Sequence, residues 1–135
     1  MTTANPAPGF KKYPGHSVRT NASGAHVKVM LGGEVIADTR EAVELHESFG
    51  EGKKTVAPVV YYIPRKDVKM DRLARTSHST HCPFKGDASY FTVVTESGEV
   101  KDAIWRYERP FDAVKEIAGH VAFYADRVGI SVGEN

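Results

Sequence analysis

The chain has 135 residues, of which 41% are hydrophobic and 26% are charged. A chain of this length forms one domain and buries roughly two thirds of the surface that its unfolded form exposes, so it needs no disulfide or metal to fold. Eighteen basic and seventeen acidic side chains leave a formal net charge of +1, which argues against a general nucleic-acid-binding surface. The composition is that of an ordinary globular domain.

Cysteine content and hydropathy predict the compartment and the domain limits. The single cysteine, Cys82, excludes an internal disulfide and fits a reducing cytosol. The N-terminal sequence has no apolar segment of the signal-peptide type, and no later stretch approaches the ~20 apolar residues that span a bilayer. We therefore predict a cytoplasmic protein without membrane contact, with an irregular arm at residues 1–24 and a single domain at residues 25–135. The proline-containing arm is a candidate for self-association into a homo-oligomer.

Alternation of apolar and polar residues predicts a mainly antiparallel β fold. Strands are expected at residues 26–31, 34–38, 59–63, 88–95 and 100–107, with one further strand over EAVELHES and a single last strand over HVAFYADRVGISV. Gly32 and Gly33 supply the positive φ values of a tight hairpin turn, and the turn ESGE joins the strands at residues 88–95 and 100–107 into a second hairpin. GEGKKT (residues 50–55) is predicted to be a loop, and a helix is expected near residues 111–118, ended by Gly119.

The segment TSHSTHCPFKGDASYF concentrates polar and reactive side chains before a predicted strand. Pro83 holds Cys82 in an extended conformation, and Gly86 permits a sharp turn that directs Lys85 back toward the strand. Cys82 is either a nucleophile activated by His81 and Lys85, or a small structural side chain at the start of the strand. We favour the structural role because the chain has no resolving cysteine and no evident catalytic triad.

Histidines in the same segment raise the question of a metal site. His78, His81 and Cys82 would need His46 or His120 to complete four ligands. Zinc ligands usually come in spaced pairs that include two or more cysteines, and adjacent residues of an extended chain point to opposite faces. We therefore predict no metal and no cofactor.

The segment YYIPRKDV predicts an anion-binding corner at the end of a strand. Pro64 ends the strand, so Arg65 and Asp67 stand at its exit and can point to one side. The guanidinium fork of Arg65 suits a carboxylate or a phosphate, and Asp67 would hold it in place. An Arg65–Asp67 pair that only stabilises the corner is the alternative. Arg65 and Lys85 together form the candidate anion-binding pair.

Aromatic residues alternate along three of the predicted strands: Tyr61, Tyr62, Tyr90, Phe91, Trp105 and Tyr107. At a period of two, one set faces the core and the other can line a groove. Core packing is the commoner role of such residues. A wall formed by Tyr62, Trp105 and Tyr107 beside the two cations would suit a planar ligand that carries an anionic group.

Four segments together resemble a known family: GEVIADTREAVELHE, YYIPRKDV, HCPFKGDASYFTV and AIWRYERPFDAVKEIAGHVAFY. In this order they are similar to the blocks of the family called domain of unknown function 427, over roughly residues 25–130. The resemblance is carried most specifically by Y-x-P-R-x-D-V combined with C-P-x-K-G. It implies a complex antiparallel β fold, of the type seen in methionine sulfoxide reductase B, with one or two short helices. The family also bears a nucleotidyltransferase label, but the resemblance implies no settled reaction, substrate or cofactor.

These observations lead to three functional hypotheses. The first is a domain that binds an anionic, nucleotide-like small molecule through Tyr62, Arg65, Asp67, Lys85, Trp105 and Tyr107. The second is a non-catalytic interaction or self-assembly module in which these residues are structural. The third is a cysteine-dependent enzyme that uses Cys82. The sequence contains no Gly-rich phosphate loop and no evident pair of metal-binding carboxylates, which argues against nucleotidyl transfer.

Overall fold

The computed structural model of the chain describes residues 4–50, 54–55 and 58–133. These residues form eleven strands: β1 (His16–Ala22), β2 (His26–Leu31), β3 (Glu34–Thr39), β4 (Val43–Phe49), β5 (Lys54–Thr55), β6 (Val60–Tyr62), β7 (Leu73–Cys82), β8 (Gly86–Thr95), β9 (Gly98–Tyr107), β10 (Val121–Phe123) and β11 (Gly129–Gly133). A short helix, α1 (Gly9–Lys12), precedes them, and 3₁₀ turns cover Arg65–Asp67, Met70–Arg72 and Asp112–Ile117. The predicted mainly β class with short helices is confirmed.

The strands pair antiparallel in three sheets. The first sheet contains β1, β4 and β5, with β6 also paired to β4, while the second runs β10-β9-β8-β7 and the third runs β11-β2-β3. A bridge between Ile63 and Val121 joins the end of β6 to the second sheet. A bridge between Ala37 and Val68 holds the segment after β6 against the third sheet. The three sheets are thus linked through the chain around β6.

Both predicted hairpins are confirmed. Gly32 and Gly33 join β2 to β3 with φ values of 58° and 82°, which a tight primed turn requires and glycine adopts without strain. The β8–β9 hairpin has a register shift between Phe91 and Val93. Period-2 alternation located these strands correctly because each hairpin has one face in the core.

Two long strands, β1 and β7, lie where no strand was predicted. Residues 16–22, assigned to an irregular arm, form β1, which pairs with β4 along its whole length. Only Val18 of this strand is buried, so the strand has no alternation of apolar residues that would have predicted it. Its conformation is decided by backbone pairing with β4. Residues 73–82 form the ten-residue strand β7, whose side chains are mostly exposed and polar. Its pairing with β8 likewise depends on backbone hydrogen bonds.

Three further segments depart from the prediction in detail. The helix expected at residues 111–118 is a 3₁₀ segment, Asp112–Ile117, interrupted at Val114, whose φ is −130°. Val114 and Ile117 are both fully buried, and the kinked backbone presents both to the core. The C-terminal segment contains two strands, β10 and β11. In the predicted loop at residues 50–55, β5 pairs with β4, while residues 51–53 lie outside the described residues.

Two groups of buried side chains fill the interior. One is mainly aliphatic and contains Val27, Val29, Ile36, Ile63, Val93, Ile104 and Val121. The other, which we call the aromatic cluster, contains Tyr62, Phe84, Tyr90 and Tyr107, with Phe10, Trp105 and Tyr124 packed against it. Val114 and Ile117 of the 3₁₀ segment also belong to the second group. The aromatic cluster therefore draws on the first sheet, the second sheet and the N-terminal helix.

Gly86 offers a test of the turn between β7 and β8. Its φ is 121°, and a Cβ added there would lie 3.2 Å from the carbonyl oxygen of Arg109. We expect Gly86→Ala to lower the free energy of unfolding by about 1–3 kcal/mol, because an L side chain adopts this φ only with strain.

The control is Gly15→Ala, since a Cβ at Gly15 would make ordinary contacts, the nearest at 3.6 Å. Urea denaturation of the two variants measures the difference. Equal losses of stability in both would show that the turn does not require glycine.

Candidate functional site

Three charged side chains, which we call the charged cluster, lie at one end of the aromatic cluster. Glu47 Oε1 is 2.5 Å from Lys85 Nζ, and Glu47 Oε2 is 3.1 Å from His16 Nε2. All three side chains are only 14% to 15% exposed. The ring of His16 also stacks on Phe84, with 3.8 Å between the ring centroids. The carboxylate of Glu47 thus lies between an ammonium group and an imidazole, with little access to solvent.

Strand alternation and the β7–β8 turn bring these three residues together. Glu47 shares a strand face with Leu45, which is 1% exposed, so β4 directs this carboxylate inward. The turn that carries Lys85 is held by two backbone hydrogen bonds. The Gly9 amide donates to the Pro83 carbonyl at 2.9 Å, and the Phe111 amide donates to the Lys85 carbonyl at 2.9 Å. The position of Lys85 therefore depends on α1 and on the chain after β9.

A single hydrogen bond orders the centre of the aromatic cluster. Trp105 Nε1 donates to Tyr62 Oη at 3.1 Å, and the two rings meet edge to face with 6.3 Å between centroids. Tyr62 is fully buried and its ring lies 6.4 Å from that of Tyr107. Burial is the main cause that raises the pKa of Tyr62 and Tyr107, and the negative charge of Glu47 acts in the same direction on both.

Four of the six residues predicted to bind a ligand lie in this region of the molecule. Tyr62, Trp105 and Tyr107 belong to the aromatic cluster, and Lys85 lies at its charged end. These four come from two strands, β6 and β9, and a turn, and the rings of Tyr62, Trp105 and Tyr107 lie close together. Lys85, however, is already paired with a carboxylate.

Arg65 and Asp67 lie elsewhere, in the 3₁₀ turn after β6. Asp67 Oδ2 accepts a hydrogen bond from Thr39 Oγ1 at 2.7 Å, which fixes the turn to β3. Arg65 is exposed to solvent. Asp67 therefore stabilises this corner, as in the alternative considered for the sequence, but it does so through Thr39 and not through Arg65.

The predicted pair of Arg65 and Lys85 is not brought together. Tyr62 is paired with Val43, and Glu47, which binds Lys85, lies four residues further along β4. Because β6 runs antiparallel to β4, the chain from Tyr62 to Arg65 leads away from the end of β4 that carries Glu47. Arg65 thus lies beyond the end of β6, in the 3₁₀ turn Arg65–Asp67, on the side away from Glu47. The shared anion-binding pocket of these two cations therefore has no support in the geometry.

Trp105 also lines an apolar cavity of about 360 Å³, which we call the aromatic pocket. Its other lining residues include Val29, Val59, Tyr61, Phe123 and Tyr124. The rings of Trp105 and Tyr124 are 4.5 Å apart. Burial raises the pKa of Tyr124 to about 12. Cavities of this size with few polar groups are typical of small-molecule sites.

Cys82 and the nearby histidines occupy separate surroundings. Cys82 ends β7, is partly buried and packs against the aromatic cluster. His78 packs on the ring of Tyr90, and His81 Nδ1 is hydrogen-bonded to Asp87 Oδ1 at 2.7 Å. In the part of the chain that the structure describes, no group of three or more His, Cys, Asp or Glu side chains is placed to hold a metal ion.

Sequence reasoning missed His16, Glu47 and Tyr124. A signal for Glu47 was present, because it continues the inward face of Val43 and Leu45, and an inward carboxylate requires a cation. No comparable signal marked His16, which lies in a segment without hydrophobic alternation. Tyr124 follows a strand whose three residues are all buried, so alternation could not assign its face.

The fold and the site define a small antiparallel β domain whose aromatic cluster is closed at one end by a largely buried ion pair. The chain belongs to the family described as Domain of unknown function (DUF427), whose model matches residues 19–134. This confirms the resemblance found in the sequence, and the nucleotidyltransferase label of the family assigns no reaction. No curated protein matches the chain. Across residues 4–50, 54–55 and 58–133, no helix has the length and apolar character needed to cross a membrane.

The buried tyrosines generate a prediction about alkaline pH. Tyr62, Tyr107 and Tyr124 should stay protonated in the folded protein at a pH near 10, where the tyrosines of an unfolded chain ionise. Because their folded-state pKa values are raised, the stability that they contribute is complete below about pH 10 and is lost as the pH rises further.

Ultraviolet absorbance of tyrosinate, followed against pH in native and urea-unfolded protein, measures this difference. The variant Tyr62→Phe should remove one of the late-titrating groups. Ionisation of all tyrosines near pH 10 while circular dichroism still shows folded protein would contradict the assignment.

The packing of Cys82 predicts a structural cysteine. We expect iodoacetamide to label the native protein much more slowly than the unfolded protein, because the side chain is partly buried against aromatic rings. Cys82→Ala should lower the free energy of unfolding by about 1 kcal/mol through lost packing. Labelling of native protein as fast as that of unfolded protein, with no loss of stability in the variant, would favour a reactive thiol.

Proposed function

We propose that this domain binds a small planar molecule carrying an anionic group, and that the aromatic pocket holds its ring. The observation that carries the proposal is the cavity of about 360 Å³ walled by Tyr61, Trp105 and Tyr124. Aromatic walls favour flat rings through stacked and edge-to-face contacts. A pocket of this volume accommodates a ligand of cofactor or drug size.

Trp105 supports the proposal because its ring is held in place before any ligand arrives. Its indole nitrogen donates to Tyr62 Oη, and Tyr62 is fully buried, so the hydrogen bond and the surrounding packing fix the orientation of the ring. A ligand that stacks on a preformed wall does not have to order it, and this reduces the entropic cost of binding.

Arg127 supports the anionic part of the proposal. Its guanidinium carbon lies 5.3 Å from the centre of the Tyr124 ring, and Tyr124 lines the pocket. Arg127 Nη1 donates to the Lys101 carbonyl at 2.7 Å, which restricts the side chain. The remaining donors of this exposed guanidinium are available to a carboxylate, sulfonate or phosphate group. Lys85 is unsuited to this role because Glu47 already neutralises it.

The test uses two dyes with similar rings, anionic anilinonaphthalene sulfonate and neutral N-phenylnaphthylamine. Both should bind the native protein and quench the fluorescence of Trp105, the single tryptophan of the chain. Val59→Asp should weaken the binding of the anionic dye at least about tenfold, because it places a carboxylate in the pocket lining. Arg127→Ala should weaken the anionic dye and leave the neutral dye unchanged.

Val94→Asp is the matched control. Val59 and Val94 are comparably exposed, at 36% and 41%, but only Val59 contributes to the described lining of the pocket. Equal effects of the two aspartate variants, or dye binding that leaves Trp105 fluorescence unchanged, would place the binding site elsewhere.

Self-assembly through β7 is a second candidate function. This ten-residue strand lies at the edge of its sheet and, within the described residues, pairs with β8 alone. An unpaired strand edge can accept a strand from another chain. Analytical ultracentrifugation over a range of protein concentrations should then show a dimer that Ser77→Pro disrupts. A monomer at all concentrations would exclude this function.

A further inference from the structure

A second, polar cavity of about 300 Å³ lies on the sheet formed by β7, β8 and β9. We call it the arginine cleft, and its lining includes Arg75, Ser79, Asp87, Ser89, Glu108 and Arg109. It takes no part in the aromatic pocket. Arg106 and Glu108 alternate with Trp105 and Tyr107 along β9 and beyond its end, so the two sets point to opposite faces.

Hydrogen-bond donors already converge on one oxygen in this cleft. Glu108 Oε1 is 2.9 Å from Arg75 Nη1 and 2.9 Å from Arg106 Nη2, and Ser89 Oγ donates to it at 3.4 Å. The hydrogen bond from Arg106 is the main cause that holds the pKa of Glu108 below its usual value, and Arg75 adds to it. The side chain of Glu108 thus shows that the cleft can hold an oxyanion oxygen between two guanidinium groups.

Arg106 lies beneath this network with an incomplete set of partners. It is only 8% exposed and packs over the ring of Phe91, 5.0 Å from its centre. Its Nε is buried and makes no hydrogen bond within the described part of the chain. Glu108 supplies the negative charge that a buried guanidinium requires, whereas the Nε donor of Arg106 has no acceptor among the described residues.

Arg109 adds a cation at the rim of the cleft. It is exposed, and its side chain makes no ion pair or hydrogen bond with the residues that the structure describes. Asp87, the second carboxylate of the cleft, is 86% exposed and is bound to His81 Nδ1. Three guanidinium groups therefore face two carboxylates, which leaves one excess positive charge.

We propose that the arginine cleft binds the phosphate group of a small phosphorylated molecule. Arg75 and Arg109 would pair with the phosphate oxygens, and the hydroxyls of Ser79 and Ser89 would donate to them. A phosphate matches this set better than a carboxylate, because two guanidinium groups and two hydroxyls can satisfy three oxygens and two negative charges. Glu108 competes for Arg75 and so limits the affinity.

NMR titration of the isotope-labelled full chain with sodium phosphate tests the proposal. Sodium chloride at equal ionic strength and sodium acetate serve as reference titrations, because screening alone would act in all three. Phosphate should produce saturable shifts at the amides of Ser79, Ser89 and Arg109. Acetate should shift the same amides with clearly weaker affinity.

Two substitutions in the cleft should act in opposite directions. Arg109→Ala should weaken phosphate binding at least about tenfold, because a charge-assisted contact is lost. Glu108→Gln should strengthen binding, because it removes the competing charge and keeps an oxygen for Arg75 and Ser89. Arg19→Ala, an exposed arginine of β1, is the matched control and should leave the affinity unchanged.

Several results of these titrations would contradict phosphate binding in the arginine cleft. Shifts that do not saturate, or that sodium chloride reproduces, would overturn the proposal. So would equal affinities in the wild-type, Arg109→Ala and Arg19→Ala proteins, or an unchanged affinity in Glu108→Gln. Acetate binding as tight as phosphate binding would overturn the assignment to phosphate. The dye experiments on the aromatic pocket are independent of every one of these results.

Discussion

The ion pair between Glu47 and Lys85 is a largely buried charge interaction that connects the first sheet with the second. It joins β4, the central strand of the first sheet, to the turn between β7 and β8 in the second sheet. His16 brings the beginning of β1 to the same carboxylate. Removing one partner of such a largely buried pair typically costs about 3–5 kcal/mol, because the other charge is left without compensation. The same residues close one end of the aromatic cluster.

The two candidate binding regions, the aromatic pocket and the arginine cleft, lie on opposite faces of strand β9. Trp105 and Tyr107 point toward the aromatic cluster, and Trp105 also lines the aromatic pocket. Arg106 points to the opposite face, where it pairs with Glu108 in the arginine cleft. A single strand with alternating aromatic and charged residues therefore supports an apolar cavity and a polar cleft within a few residues of each other.

Part of the candidate site could be predicted because strand alternation assigns faces. Tyr62, Trp105 and Tyr107 lie close together in the structure, as expected for aromatic residues on core-facing positions. Alternation does not say which strands are neighbours, however, or in which direction a strand leaves its partner. The sequence therefore led to the prediction that Arg65 and Lys85 share one anion-binding site. The antiparallel pairing of β6 with β4 instead leads the chain at Arg65 away from Glu47, the partner of Lys85.

The sequence by itself determined the mainly β class and the two hairpins, because their turn residues and their alternation are local signals. Tertiary structure alone decided β1 and β7, whose polar residues become strands only by hydrogen-bonding to partners elsewhere in the chain. It also decided that Asp112–Ile117 is a kinked 3₁₀ segment, where Val114 and Ile117 are fully buried. The pairing of Glu47 with Lys85 belongs to the same category. Charge complementarity between residues 38 positions apart has no local signature, and burial makes it decisive.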